Sequence, residues 1–487
     1  MKKISTIYLI LLSLLGFLIL IFLIFNSAYL IFSPYLNPDF QPKFSNNTGV
    51  IQGEINSLPL FKPHHQIQFD FKTIHPSIGV LNCHWYGLAP KLTPGDIWVL
   101  TIKPKSWQTL TKIQKFKNNI NPDFNYGLYL ISHQYSGSCS VLSHAPYSLV
   151  QHAHYFNYFN YLNNLNYLRS ELRDLLWTYI KNLTYHSTMM ALVLGDRSGL
   201  TQEDWDVLRN TGTNHLVAIA GLHIALIVWI GFFLAWNLLR QFKLLGEWGW
   251  VPRISLIFSW LVGLIYSAMA GFSVPTQRAL IMLSVYIYGQ ILGFRFNPYF
   301  AWSLAAVLII LINPWSLLDA GIWLSFTAVF FLIYGYQQYK PKGFWREFIY
   351  PQWFIFIGLI PISLYWFSQF STIGFFTNFL AIPYLFFIIL PLLLLSVLGV
   401  LFLLFFKFIF LNFLLKQLFI FINFLIFLLW KFLKFNSNLP YSHFLIHTPH
   451  LIFVISGTLG AMILLTPRYG YGYKRLIGLF LFLSVFI

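Results

Sequence analysis

From residue 251 to the end of the chain, apolar runs follow one another with only short polar interruptions. They predict spans near 251–271, 275–293, 299–313, 317–336, 352–368, 376–398, 401–412, 413–433 and 450–466, with a last one from about 475. A helix rising about 1.5 Å per residue needs ~20 apolar residues to cross the hydrocarbon of a bilayer. The aromatic stretch 399–435 holds Lys407, Lys416, Lys431 and Lys434 and reads equally as a span or as a surface-lying helix. At the other end, Lys2 and Lys3 precede an apolar run from Ile4 to about Phe32. This exceeds the roughly 7–15-residue core of a secretory signal, so residues 1–33 are expected to form an uncleaved transmembrane helix with a cytoplasmic N-terminus. With 213–242 included, the pattern predicts about nine to eleven spans.

Two segments depart from this pattern. Residues 46–145 are rich in Pro, Asn and His and carry short β-leaning runs, HQIQFDF at 65–71 and DIWVLTI at 96–102, with turn chemistry in PKLTPGD at 90–96. Such runs bounded by Pro, Gly and Asp predict a small β-barrel domain, placed outside the cytoplasm by the single span before it. Within 151–183, Tyr158, Tyr161, Leu162, Leu165, Leu168, Leu172, Leu175 and Leu176 recur at three/four spacing, and polar residues fill the other face. This is an amphipathic helix, too polar to span and suited to the membrane surface.

Composition points the same way. The 487 residues are 57% hydrophobic, 20% aromatic and 9% charged, with a mean hydropathy of +0.65, whereas soluble domains carry about 25% charged residues. The chain is therefore expected to be an α-helical polytopic membrane protein. Its formal net charge is +17, from 31 Lys and Arg against 14 Asp and Glu. Basic loops at 240–253, 340–346 and 468–475 fit the cytoplasmic side under the positive-inside rule, and a polyanion partner such as DNA would favour the same sign. Both cysteines, Cys83 and Cys139, fall in the predicted barrel. An even pair in an extracytoplasmic module reads as a disulfide, the alternative being two buried thiols.

The densest polar stretch is ALVLGDRSGLTQEDWDVLRNTGTNHLVAIAGLH at 191–223. Charged side chains at bilayer depth cost roughly 2.5–3.5 kcal/mol each on insertion scales, so a run of them leading into an apolar helix marks either a pathway or a scaffold. Asp196 and Arg197 sit in a Gly-bracketed turn. Thr201 and Asp204 have capping-box spacing and predict a short helix over 202–209 that Gly212 can end. Residues 213–242 then read as one transmembrane helix with His215, Gly221 and His223 in its first turns. On a continuous helix the two histidines lie about 12 Å apart. That is too far to share a metal ion, so a polar lining is the better reading. Arg278, Asp319 and Asn378 lie in separate apolar segments, where such groups face a bundle interior or water. An Arg278–Asp319 ion pair and a substrate contact both remain open.

The string LGDRSGL, the amphipathic turn after it and GTNHLVAIAGLH together resemble the signature of the ComEC-type competence proteins, inner-membrane channels of bacterial DNA uptake. The resemblance continues in order through AGFSVPTQRALIML at 270–283, NPWSLLDAGIWLSFTAV at 313–329 and GFFTNFLAIPY at 374–384. Ala220 departs from it, standing where the family usually has Ser. The resemblance implies an OB-like barrel at 46–145, with the WYG…LTPGDIW run at 85–98 as its central hairpin, and a channel domain over 186–487. It implies import of single-stranded DNA in natural transformation, across the bacterial inner membrane. The implied partners are single-stranded DNA, membrane lipids, a cytoplasmic ATP-driven DNA translocase and a periplasmic DNA-binding protein.

The candidate DNA pathway is Asp196, Arg197, Ser198, Thr213, Asn214, His215, His223, Arg278, Asp319 and Asn378. In the barrel, Lys91, Lys103, Lys105, Trp85 and Trp98 would suit a single strand, but the two tryptophans are better read as core. No cofactor, metal or catalytic residue is expected, because the chain holds no Walker A string, HExxH or CxxC. Many members of the resembling family carry a metallo-β-lactamase-like nuclease domain with a His-x-His-x-Asp-His motif. Here His152–His154 lacks the following Asp-His, and a short form without that domain is expected. The alternative function is a membrane transporter or a lipid-linked-saccharide enzyme, folds that also carry Arg and His near the membrane surface.

Overall fold

A computed structural model describes residues 48–486 apart from 63–65, 78, 88, 106–129, 131–134, 143–144, 152–164, 220, 243–249, 294–296, 340–342, 406–407, 446–448 and 467–471. The expected N-terminal span, 1–33, lies outside the described residues.

Seven strands come first: β1 (Gly49–Ile55), β2 (Leu60–Lys62), β3 (Gln66–His75), β4 (Val80–Tyr86), β5 (Ile97–Lys105), β6 (Gly137–Val141) and β7 (Ser148–Gln151). The order β1-β3-β4-β6-β5 closes into a five-stranded barrel because β1 also pairs with β5. Strands β4 and β6 run parallel, and the topology is OB-like. Alternation builds it: Ile67, Phe69 and Phe71 of β3 point inward and pack with Ile51, Trp85, Trp98 and Leu100. A bulge at Gln52/Gly53 bends β1. A Cβ on Gly53 would stand 2.6 Å from the Lys72 carbonyl, so glycine is required there.

Two boundaries differ from expectation. The 85–98 run is not a hairpin, because β6 inserts between β4 and β5 and takes the hydrogen bonds of both. The barrel also continues past 145, since β7 pairs with Ile97–Val99 at the start of β5, on the edge whose far end β6 takes.

The helices are α1 (Leu165–Ile180), α2 (His186–Leu194), α3 (Gln202–Asn210), α4 (Asn214–Val217), α5 (Gly221–Leu239), α6 (Val251–Met269), α7 (Val274–Ile291) and α8 (Pro298–Ile312). They continue as α9 (Ala320–Tyr339), α10 (Phe344–Phe367), α11 (Gly374–Tyr384), α12 (Leu390–Phe405), α13 (Ile409–Ser437), α14 (Leu451–Leu464) and α15 (Gly472–Leu483). Among the described residues six stretches are long and apolar enough to cross a membrane: Gly221–Leu239, Val251–Met269, Ala320–Tyr339, Ile349–Phe367, Gly374–Leu404 and Ile409–Ser437. Helices α8 and α14 are apolar but shorter. The predicted spans 376–398 and 401–412 are not separate elements as drawn. A π-turn at Leu385–Ile389 joins α11 to α12 without interruption, and the ambiguous aromatic stretch falls mainly on the 29-residue α13.

Helix α1 lies between barrel and bundle. Its Asn166 Nδ2 donates to the Asn56 carbonyl at 2.5 Å and Arg173 Nη1 to the Pro59 carbonyl at 3.0 Å. The predicted stripe splits around these anchors: Leu172 and Leu176 are buried, whereas Leu165 and Leu168 are exposed. Residues 152–164 of the expected amphipathic segment lie outside the described residues. Helix α2 is buried all round, from Thr188 to Leu194, against α12 and α13, as expected of a core helix rather than a surface one.

Candidate functional site

The site grows from the C-terminus of α2. Gly195 ends that helix at φ +73°, its N–H donating to the Ala191 carbonyl, a left-handed position that glycine tolerates best. Asp196, buried, then accepts from Ser198 N at 3.0 Å and Ser198 Oγ at 2.6 Å, and Arg197 is half-buried beside it. Thr201 and Asp204 form the capping box that their spacing predicts. Asp206 pairs with Arg209 at 2.6 Å, and Glu203 reaches Lys434 on α13 at 2.9 Å. Gly212 turns the chain at φ +66°. Behind it the buried hydroxyls of Thr211 and Thr213 meet at 2.8 Å.

The helix expected over 213–242 is broken. Helix α4 stops at Val217, Ala218 is extended (φ −81°, ψ 132°), and α5 begins at Gly221. The cause is tertiary: Ile219 is buried among Ile224, Tyr266, Ala270 and Ile287, so the chain crosses over extended to deliver it. The spacing argument that separated His215 from His223 by about 12 Å on one helix therefore does not apply. Asn214 and His215 are exposed and His223 is buried.

Opposite the break lies a second irregularity. Pro383 sits inside α11, and the π-turn Leu385–Ile389 follows it directly. Proline removes one helical hydrogen bond and clashes with the carbonyl four residues back, and π-turns often mark functional sites. His215, Leu222 and His223 from the break and Ile382, Leu385 and Phe386 from the π-turn line one cavity of about 10 Å³, room for about one water. Non-helical backbone at membrane depth is tolerated where protein buries it or where it lines a water-filled path.

Polar contacts hold the two irregular segments together. Asn378 Nδ2 donates to the Gly212 carbonyl at 3.3 Å, and Ser371 Oγ to the Asn210 carbonyl at 2.7 Å. Ser371 and Asn210 were not among the sequence candidates; their hydroxyl and amide types are too common to stand out. Arg169 was also missed, because its place on an amphipathic helix reads as a solvated face. In the structure its Nε donates to the Met269 carbonyl at 2.8 Å and its Nη2 to the Leu194 carbonyl at 2.9 Å. It thus caps the ends of α6 and α2 together. Burial pushes this guanidinium down to about 10, with the Asp196 carboxylate opposing the shift.

Helix α7 brings Arg278. A Cβ on Gly221 would meet the Ala279 Cβ at 3.5 Å, so this turn of α7 abuts the start of α5. Arg278 Nη1 lies 2.7 Å from Asp319 Oδ2, which settles the pair as formed. The Arg278 Nε–H is buried and has no hydrogen-bond partner among the described residues.

The barrel presents less of a site. Trp85 and Trp98 are core, at 0% and 5% exposure, so neither offers a stacking face. Lys91 pairs with Asp174 of α1 at 2.9 Å, and Lys103 is exposed. The Lys105 side chain lies outside the described residues. Cys83 and Cys139 stand directly opposite each other on β4 and β6 and are joined as a disulfide. No group of three or more His, Cys, Asp or Glu side chains is gathered to hold a metal among the described residues.

Comparison with known proteins places this arrangement. The chain is 31% identical to Recombination protein 2 of Haemophilus influenzae over 244 residues, 47% of this chain and 30% of that protein. It is 31% identical to Competence protein ComA of Neisseria gonorrhoeae over 209 residues, 43% of this chain and 30% of that protein. With ComE operon protein 3 of Bacillus subtilis it shares 30% over 206 residues, 42% and 25% of the two chains. The matched part therefore spans less than a third of these relatives. No solved structure matches. A family model described as Competence protein matches residues 192–469. That stretch contains the capped α3, the broken helix, the π-turn and the Arg278–Asp319 pair, and by it the chain belongs to the Competence protein family.

Proposed function

We propose that the chain is a multi-pass inner-membrane conduit through which single-stranded DNA enters the cell during natural transformation. The observation that carries this reading is the helix broken at 218–219 and packed against the π-turn at Leu385–Ile389, with His215 and His223 at their junction. Paired irregularities of this kind are how transporters bring backbone polar groups to a substrate inside a bilayer. A strand with one negative charge per nucleotide also needs donors wherever water is scarce. Arg197 and the spare Nε–H of Arg278 supply them, while Asn378 holds Gly212 and the turn around it in place.

In this reading the barrel lies outside the cytoplasm and takes the strand from a periplasmic DNA-binding protein. A cytoplasmic ATP-driven translocase pulls it, and the conduit itself performs no chemistry. The test is a deletion strain given labelled DNA, with nuclease-protected periplasmic DNA and cytoplasmic DNA scored separately. Periplasmic capture should persist and cytoplasmic entry should stop. Undiminished entry would overturn the proposal.

A further inference from the structure

Helices α8, α9 and α14 line a half-open cavity of about 250 Å³ that the DNA-uptake reading leaves without a role. Its wall includes Trp302, Ala306, Trp323, Phe326, Thr458 and Met462. Apart from the Thr327 hydroxyl, the wall's polar side chains are already committed. Trp302 Nε1 donates to the Phe326 carbonyl at 2.9 Å, Trp323 Nε1 to the Leu317 carbonyl at 2.9 Å, and Thr458 Oγ1 to the Val454 carbonyl at 2.6 Å. These bonds fix both indoles and leave mainly C–H and aromatic surface facing the space. Such a surface gives a nucleic acid nothing to bind.

Water is no better an occupant. An apolar cavity of roughly 150 Å³ stays dry and takes up a hydrocarbon instead, and an empty one forfeits the dispersion contacts of its lining. The medium next to these helices is hydrocarbon: Leu311 and Ile312 of α8 and Leu459 of α14 are more than half exposed on their outward faces. The occupant at highest local concentration at that depth is therefore a lipid tail. We propose that this cavity is a resident lipid site, in which one acyl chain of a membrane phospholipid lies between α8, α9 and α14. Leu317 and Ile322, which bracket Asp319, also line it. The chain in the cavity would thus brace the segment that presents Asp319 to Arg278.

The test uses the full chain in phosphatidylethanolamine and phosphatidylglycerol vesicles containing a phospholipid with a diazirine midway along one acyl chain. After irradiation, adducts are mapped by mass spectrometry. Adducts on Trp302, Trp323, Phe326 and Met462 should exceed those on outward-facing Leu311 and Leu459 severalfold. Two fillings from opposite walls, Ala306→Phe and Thr458→Phe, should each abolish the cavity adducts and spare those on Leu311 and Leu459. The second variant serves if the first does not fold. Cavity adducts no more frequent than the outward ones, or unchanged by filling, would overturn the site. Displacement of the phospholipid by equimolar free fatty acid carrying the same diazirine would overturn the phospholipid as its source.

Discussion

Arg278 can meet Asp319 because residue 321 is a glycine. A Cβ there would stand 2.6 Å from Arg278 Nη2 and 2.9 Å from both Nη1 and Asp319 Oδ2. The same residue donates its N–H to Asp319 Oδ1 at 3.1 Å, so the carboxylate caps α9 with one oxygen and holds the guanidinium with the other. Removing one partner of such a pair strands a charge, at a cost of about 3–5 kcal/mol. Gly321→Ala should therefore destabilise the bundle in the same direction as Asp319→Ala, although alanine is the better helix former. Thermal unfolding in one detergent reads both variants. A Gly321→Ala protein as stable as wild type would mean that the guanidinium can move aside.

Arg169 should prove equally particular about its side chain. Three of its N–H donors reach Met269 O, Leu194 O and Asn166 Oδ1, an arrangement suited to a planar fork. Gly271, at φ +71°, leaves the space that the guanidinium occupies. Lysine keeps the charge but cannot serve both helix ends, so Arg169→Lys should lose most of what Arg169→Ala loses, roughly 1.5–3 kcal/mol per missing bond. Limited proteolysis between the barrel and α2 provides the readout. Wild-type resistance in Arg169→Lys would show that charge alone suffices.

Helix α3 should dock in a pH-dependent way. The Lys434 hydrogen bond and charge hold the Glu203 carboxyl below its ordinary value of 4.5. A lowered carboxyl favours the folded state above the unfolded value, and that contribution is lost as pH falls through the lowered one. Both side chains are largely exposed, so the effect is small and salt-screened. Amide protection factors in α3, referred to the intrinsic exchange rate at each pH, should fall on acidification below that range at low salt. Lys434→Gln should exchange faster at neutral pH and lose most of that acid response. An acid response undiminished in Lys434→Gln would assign it to another group.

Local chemistry in this chain was legible and long-range insertion was not. The capping box needs only Thr201 and Asp204 three residues apart, and the barrel strands show in the alternation of Ile67, Phe69 and Phe71. The break at 218–219 was hidden, because Leu-Val-Ala-Ile suits a helix and only the burial of Ile219 against α6 and α7 pulls it straight. The 85–98 hairpin failed for a related reason: β6, about thirty residues beyond β5 in the sequence, displaces the expected partner. Arg169 depended on a carbonyl 100 residues away, which no periodicity contains.

The disulfide carries a prediction about both stability and placement. Cys83 and Cys139 are fully buried and close a loop with a separation of 56 residues. In the chain-entropy model a loop of that length contributes ~4 kcal/mol. Reduction should therefore lower the unfolding temperature of the barrel without a matching loss in the bundle. If the barrel lies outside the cytoplasm, both sulfurs should resist a non-permeant maleimide in intact cells until a reductant and mild denaturant are supplied from outside. Thiols that label only after the cytoplasmic face is opened would reverse the proposed orientation.

Exchanging the charges of Arg278 and Asp319 separates scaffold from pathway. If the pair only holds α7 to the start of α9, Arg278→Asp with Asp319→Arg should restore part of the stability and the DNA entry lost in each single variant, since the attraction survives in reverse. If Arg278 also meets the phosphates of a passing strand, stability should recover while entry stays blocked. The cation would then sit on the wrong element, before α9 rather than on α7. Protein level, unfolding temperature and cytoplasmic DNA are measured in the same strains. Arg197→Ala serves as the comparison, because Arg197 lies in the turn after α2 rather than in this pair; it should lose entry. Recovery of both stability and entry in the exchanged protein would reduce Arg278 to a scaffold. Normal entry in a stable Arg197→Ala protein would remove the turn from the pathway.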